Sequence, residues 1–401
     1  MFRIKVMSSL IAVVLGVSTG IGQERGAARD ALKEIKGREI LQELRLREAS
    51  AIKVKPEAKE WSKNLKPGGL YKNAFSQLDS GELTAKVKSS NLKGFTSTVL
   101  FAELNKRAVT KGIFGPDDRQ DLFRIEMQRA ELVAKGSNTA FFDGILRNAS
   151  AVCCLVKASQ LSETGSGLMR MVTSPFSDSQ HDTIKLCPTE RFVTQPTGAF
   201  CTGFLVAPDV IITAGHCVKP ADIANARFVF GFRMTDATQA VTAFPKSDVY
   251  NGKAILGRAL DNSTGEDWAM VQLDRPVANV TPMKFRKDGK IANATEIYVI
   301  GFPTGLPCKV STNAKVGLNT DAFVFNGNLD TYGGNSGSPV FNAVTHEIEG
   351  ILVRGGEDFQ FVTNSLGGCI QSVVLSDSEG NEACTRATVW ASKVPVVVPT
   401  N

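Results

Sequence analysis

Three short islands of the 401-residue chain hold the residue types that acyl transfer needs. The first runs Cys201-Thr202-Gly203-Phe204-Leu205-Val206 and on to Thr213-Ala214-Gly215-His216-Cys217. The second is Glu266-Asp267-Trp268-Ala269-Met270-Val271-Gln272-Leu273, and the third is Asp330-Thr331-Tyr332-Gly333-Gly334-Asn335-Ser336-Gly337-Ser338-Pro339-Val340. A serine hydroxyl is a poor nucleophile at neutral pH. It needs an adjacent base, and the base needs an orienting carboxylate. The islands offer His216, Asp267 and Ser336, with Asp261, Glu266 and Asp274 competing for the acidic role. Glycines around Ser336 suit a tight turn that aims the N–H groups of Gly334 and Ser336 at one spot. Such a pair is an oxyanion hole, where donors meet the charge developing on a carbonyl. With 3 histidines in the chain and no Cys-x-x-Cys motif, no metal or cofactor is expected.

These residues must be held by strands. From about Ala151 onward, short apolar runs alternate with Gly, Pro, Asn and Asp clusters. The runs are Phe204–Val206, Val210–Thr213, Arg227–Phe232, Trp268–Leu273, Ile297–Ile300, Phe323–Phe325, Pro339–Phe341 and Ile348–Val353. That texture predicts an all-β barrel or sandwich forming one two-lobed unit. Adjacent Cys153 and Cys154 sit in a strand-like run, point to opposite faces and so do not bond each other.

The three islands resemble the signature segments of chymotrypsin-like (trypsin-like) serine endopeptidases. Gly334-Asn335-Ser336-Gly337-Ser338-Pro339-Val340 is similar to the bacterial branch that contains the glutamyl endopeptidases. The resemblance covers roughly residues 113–401. It implies two packed six-stranded antiparallel β-barrels with the site between them. It also implies His216 as general base, Asp267 as its orienter just ahead of a strand, and Ser336 as nucleophile. In the animal branch the pair equivalent to Cys201 and Cys217 is a disulfide, so that bond is implied here. The other six cysteines, Cys153, Cys154, Cys187, Cys308, Cys369 and Cys384, stay unassigned.

In trypsin-like members a carboxylate six residues before the nucleophile lies at the base of the primary pocket. Here that residue is Asp330, which implies a preference for Arg or Lys. Arg354, just before Gly355-Gly356 on the strand that lines the cleft, would neutralise Asp330 or repel a basic substrate; Arg354 and Gly355 are thus substrate-binding candidates. The glutamyl endopeptidases use a histidine on the strand after the nucleophile. No histidine follows His346, which sits in an expected turn. Before the nucleophile stands Asn335, which cannot pair with a new N-terminal amine as the animal branch's aspartate does.

The rest of the chain is organised around export. Arg3 and Lys5 precede an apolar stretch from Ser8 to Val17, and Gly20 and Gly22 supply small residues for cleavage. This is a signal-peptide pattern over 1–22. Residues 25–50 read as helix, with Leu32, Ile35, Ile40, Leu41 and Leu44 at helical spacing. Segment 24–111 carries a net charge of +8 and residues 112–401 carry −4, so a basic propeptide over 23–111 would dock on an acidic body. The segment from Gly112 to Arg119 resembles the start of the mature chain in the bacterial branch, which places the protease domain at 112–401 with processing near Lys111. The 43% hydrophobic content excludes a disordered chain, and no long apolar run follows the first 20 residues. The expectation is a secreted or periplasmic monomeric serine endopeptidase, made as a zymogen. Its partners would be protein or peptide substrates and its own propeptide, with neither nucleic acid nor membrane. The alternative is a catalytically silent binding protein on the same scaffold.

Overall fold

The computed structural model describes residues 113–395 apart from 179, 182–183, 318, 356, 363–367, 378–379 and 381. The expected signal peptide, the propeptide and the helix over 25–50 lie outside the described residues. Within them the protein is mostly β, and each expected run overlaps a strand, although Phe232 and Phe323 fall outside theirs. The strands Asp267–Leu273, Glu296–Gly301 and Ile348–Arg354 run past the apolar residues by one at an end, and Cys201–Ala207 begins three residues ahead of its run. Hydrogen-bond ladders carry on past the last apolar residue, which explains the difference.

The first lobe is a closed six-stranded barrel. Going round it, Cys201–Ala207 is followed by Val210–Thr213, Asp267–Leu273, Val249–Leu260, Ala226–Phe230 and Val152–Lys157, which pairs back to Cys201–Ala207. Neighbours are antiparallel throughout. The register sets Thr213 opposite Ala269, so the turn after Val210–Thr213 leaves the barrel beside the start of Asp267–Leu273. All seven residues of Cys201–Ala207 are buried. One face looks into the barrel and the other is covered from outside, so the run lacks polar alternation.

The second lobe departs from the expected barrel. It is a seven-stranded antiparallel sheet in the order Val324–Gly327, Glu382–Arg386, Ile348–Arg354, Pro339–Asn342, Glu296–Gly301, Lys309–Lys315 and Gln120–Asp121. A single bridge, Val316 to Gly327, brings its two sides together without a continuous ladder. One core cluster reaches from Phe204 and Ile211 of the barrel to Ile351, Val353 and Trp390, and a second, with Ile297, Val299, Phe325, Val340 and Leu352, fills the second lobe. Trp390 is fully buried, with ring centroids 6.0 Å from Phe204 and 5.0 Å from Phe285. Truncating such an aromatic costs about 3–5 kcal/mol.

Two helices that the sequence reading did not anticipate, Leu122–Ala134 and Ala140–Ala149, precede the barrel. The second is tied to the other lobe. Asn148 Nδ2 donates to the Tyr298 hydroxyl and to the His346 carbonyl, each at 2.9 Å. His346 lies in the expected turn, and its Nδ1 is 2.8 Å from the Tyr298 hydroxyl.

Candidate active site

The turn after Val210–Thr213 carries His216, whose side chain is 37% exposed. Asp267 opens the neighbouring strand and is 1% exposed. The His216 main-chain N–H donates to Asp267 Oδ1 at 3.0 Å, and His216 Nδ1 lies 2.7 Å from Oδ2. Burial pushes the Asp267 carboxyl up. The His216 hydrogen bond and the charges of His216 and Arg354 outweigh it, so the pKa falls below the usual carboxylate value. An ionised carboxylate only accepts, so Nδ1 carries a proton, and the neutral imidazole has its lone pair on Nε2. The aspartate is locked from the second lobe as well: its N–H donates to Thr385 Oγ1 at 3.1 Å, and that hydroxyl lies 3.3 Å from its carbonyl. None of Asp261, Glu266 and Asp274 is recorded on His216, and Asp274 pairs with Asn251 and Arg275 instead.

Ser336 sits in the loop before Pro339–Asn342. Its carbonyl accepts the Thr202 N–H at 2.8 Å, and the Cys217 sulfur is 3.6 Å from the same oxygen. Gly337 has φ +88, and a Cβ there would collide with the Thr202 carbonyl and Thr213 Oγ1 and lie 2.9 Å from the Ala214 N. Only glycine lets the Ser336 loop press this closely on the turn that carries His216. The pin is Thr202, which sequence reasoning passed over. It is fully buried, its hydroxyl donates to the Gly334 carbonyl at 2.9 Å, and that hydroxyl accepts from Phe302 N–H at 3.2 Å. The Gly333 carbonyl accepts the Thr304 N–H at 2.5 Å. A trans peptide then turns the Gly334 N–H to the opposite side.

Asp330 is buried, and main-chain N–H groups occupy both of its carboxylate oxygens. Its Oδ1 accepts the Phe114 N–H at 2.7 Å and its Oδ2 accepts the Asp118 N–H at 2.9 Å. Burial pushes its pKa up to about 8, helped by the charges of Asp118 and Asp117 and opposed by the two N–H donors. It anchors the segment 113–118, in which Ile113 and Phe114 are buried and pair with Val374 and Leu375. Arg119 continues the brace. Its guanidinium lies 3.9 Å from the Tyr332 ring centroid and its NH2 donates to the Tyr332 hydroxyl at 3.0 Å. These contacts join residues more than 200 positions apart, which no local pattern reveals.

Arg354 is also placed differently from expectation. Its NH2 lies 3.6 Å from Asp267 Oδ2 and donates to the Gly265 carbonyl at 3.3 Å, so it meets Asp267 and not Asp330. Gly355 faces a carboxylate that the sequence reading missed. A Cβ there would collide with the side chain of Glu382, which is fully buried and accepts the Thr331 hydroxyl at 2.9 Å. The Cys201–Cys217 disulfide is present, and Cys187 bonds Cys369 across 182 residues. Cys153, Cys154, Cys308 and Cys384 are buried thiols. Among the described residues Cys201, His216 and Cys217 form the one cluster of three ligand atoms, and its two sulfurs are bonded to each other.

Comparison with known proteins bears on the same region. Residues 201–351 match the family model described as a trypsin-like peptidase domain. A glutamyl endopeptidase of Bacillus licheniformis is 24% identical over 194 residues, which are 47% of this chain and 55% of that protein. An extracellular metalloprotease of Bacillus subtilis is 25% identical over 185 residues, 43% of this chain and 57% of that protein. The chain thus spans little more than half the length of these relatives. Among solved structures, a Glu endopeptidase is matched with a TM-score of 0.33 at 20% identity, covering 48% of this chain and 83% of that one. The VesB protease of Vibrio cholerae is matched with a TM-score of 0.34 at 13% identity, covering 61% and 62%. Residues 201–351 are thus similar to a trypsin-like peptidase domain, and part of the chain resembles a bacterial glutamyl endopeptidase.

Proposed function

We propose that this chain is an exported serine endopeptidase, made as a zymogen, that cleaves peptide bonds through an acyl-enzyme on Ser336. The observation that carries the reading is the contact of His216 Nδ1 with a buried, ionised Asp267 at 2.7 Å. His216 takes the Ser336 proton at Nε2 as Oγ attacks the scissile carbonyl. The N–H groups of Gly334 and Ser336 receive the oxyanion. His216 then protonates the leaving amine, and the same imidazole activates the water that releases the acyl group. No cofactor enters these steps. The Val316–Gly327 bridge supports reading the second lobe as an incompletely laced barrel.

Residues 1–22 would be the signal peptide and 23–111 the propeptide, whose +8 charge suits the −4 body. The anchoring of Phe114 and Asp118 on Asp330 supports a mature chain that begins just before Ile113.

For primary specificity we infer Arg or Lys, with Glu382 in place of Asp330 as the acid. Its carboxylate lies against Gly355, just past the strand Ile348–Arg354, and accepts the hydroxyl of Thr331, ahead of Ser336. Glutamate is the second reading, favoured by the name of the Bacillus licheniformis relative. Against it, His346 is bonded to Tyr298 beside the helix Ala140–Ala149, and no later histidine exists. Digestion of a diverse peptide pool by the secreted, processed protein tests all of this, with Ser336→Ala as control. Cuts after Arg or Lys that vanish in the control are expected. Cuts after Glu would keep the endopeptidase and discard Glu382. A folded, processed protein with no Ser336-dependent cuts would favour the silent binding protein.

A further inference from the structure

Arg354 is an odd residue to find beside a triad aspartate. Its side chain is 11% exposed, and its NH2 faces Asp267 Oδ2 at 3.6 Å while donating to the Gly265 carbonyl at 3.3 Å. Among the described residues its buried NH1 has no hydrogen-bond partner. Burying a guanidinium this way costs free energy, which a single long ion pair does not return. The same Oδ2 holds His216 Nδ1 at 2.7 Å, so the guanidinium lies within roughly 6 Å of the imidazole.

We propose that Arg354 is a positioning residue of the triad: it holds Asp267 and the 261–266 loop in place, and its fixed charge opposes a second positive charge on His216. The inference rests on the endopeptidase reading. Asp267 alone would stabilise an imidazolium and let acid silence the base early. A guanidinium on the same carboxylate oxygen offsets that attraction and extends activity to lower pH.

Other charges around His216 would each contribute. Arg258 donates Nε to the Gly215 and Val218 carbonyls at 2.7 and 3.0 Å, on the turn that bears the histidine. Asp261 and Glu266 lie in the loop ahead of Asp267; Asp261 binds Ser263, and Glu266 lies near Thr264. Lys393 sits 5.7 Å from the Trp268 ring centroid, and Glu382 lies under Gly355. Cys201 and Cys217 are disulfide-bonded and do not titrate. Of these groups, Arg354 alone is recorded within ion-pair distance of Asp267 besides His216.

The test is the pH profile of kcat/KM for the processed enzyme and for Arg354→Gln, Arg354→Met and Arg354→Lys. At an effective dielectric near 20, one charge at about 6 Å shifts a titration by about 1–2 pH units. The acid limb is expected to move up by about one unit in Arg354→Gln. Arg354→Met keeps the aliphatic volume, is expected to show the same shift, and stands in if the Gln variant fails to fold. Arg354→Lys is expected to hold the limb near the wild-type position. An unmoved limb in a folded Gln or Met variant overturns the proposal, as does a Lys variant that shifts as far as the Gln variant. Cuts by the wild-type protein that persist in the Ser336→Ala control would instead sink the serine endopeptidase reading, and the two failures are distinguishable.

Discussion

Replacing Asp330 by Asn separates the anchoring role of this residue from any role in a substrate pocket. In the folded protein its pKa is pushed up to about 8 from the ordinary 3.8, first by burial. The folded state therefore keeps a proton that the unfolded chain gives up above about pH 4. The stability tied to this group is full below about pH 4 and is lost as the pH rises towards 8. Linkage over that window amounts to a loss on the order of 3 kcal/mol between pH 5 and pH 8. The amide introduced by Asp330→Asn would not titrate. Its oxygen can still accept the Phe114 N–H, but its amino group would face the Asp118 N–H, donor against donor. Leaving one buried donor unmade costs about 1–3 kcal/mol. The variant should thus be less stable than the parent at pH 5 and match or exceed it at pH 8. The assay is guanidinium chloride unfolding in a Ser336→Ala background, which prevents self-digestion. A constant gap between the two proteins from pH 5 to pH 8 would refute the reasoning.

Further outcomes follow from single contacts. Thr202→Val removes the hydroxyl shared by Gly334 and Phe302. It should cost about 1–3 kcal/mol in unfolding experiments and lower kcat more than it raises KM, because the Gly334 peptide loses its fixed direction. Gly337→Ala forces a Cβ into the Thr202 carbonyl at φ +88. It should lose at least about 3 kcal/mol and yield little soluble enzyme, as read by expression and circular dichroism. Glu382→Gln should reduce the Lys-over-Gln preference at the cleaved residue by at least about tenfold in competitive digestion; an unchanged ratio would remove Glu382 from the pocket.

Which parts of this protein could be read in advance follows from how far apart the partners lie. Val210–Thr213 matched its observed strand to the residue, since an apolar run between turn residues is a local signal. The pairing of His216 with Asp267 was also legible, because the first follows a strand by one turn and the second opens a strand, each inside a recognisable island. Asp330 and Arg354 were legible as charged residues near Ser336, but not their partners. Asp330 meets amides 216 and 212 positions upstream, and Arg354 meets the Gly265 carbonyl 89 positions upstream. The helix Ala140–Ala149 carries Gly144 where His346 packs, and a mid-helix glycine weakens the local helical signal. Thr385, which holds Asp267 from the second lobe, looks like any strand threonine until the lobes come together. The Cys187–Cys369 pair illustrates the same point, since six unassigned cysteines allow many pairings and spacing selects none.

The central claim is that Ser336 is a nucleophile activated by His216. The most direct measurement is labelling of the processed protein with a fluorophosphonate, followed by peptide mapping. The account predicts one covalent adduct, on Ser336, absent in Ser336→Ala and slowed by about 10³-fold or more in His216→Ala. Folded, processed protein that takes no label, or that is labelled equally well after His216→Ala, would contradict it.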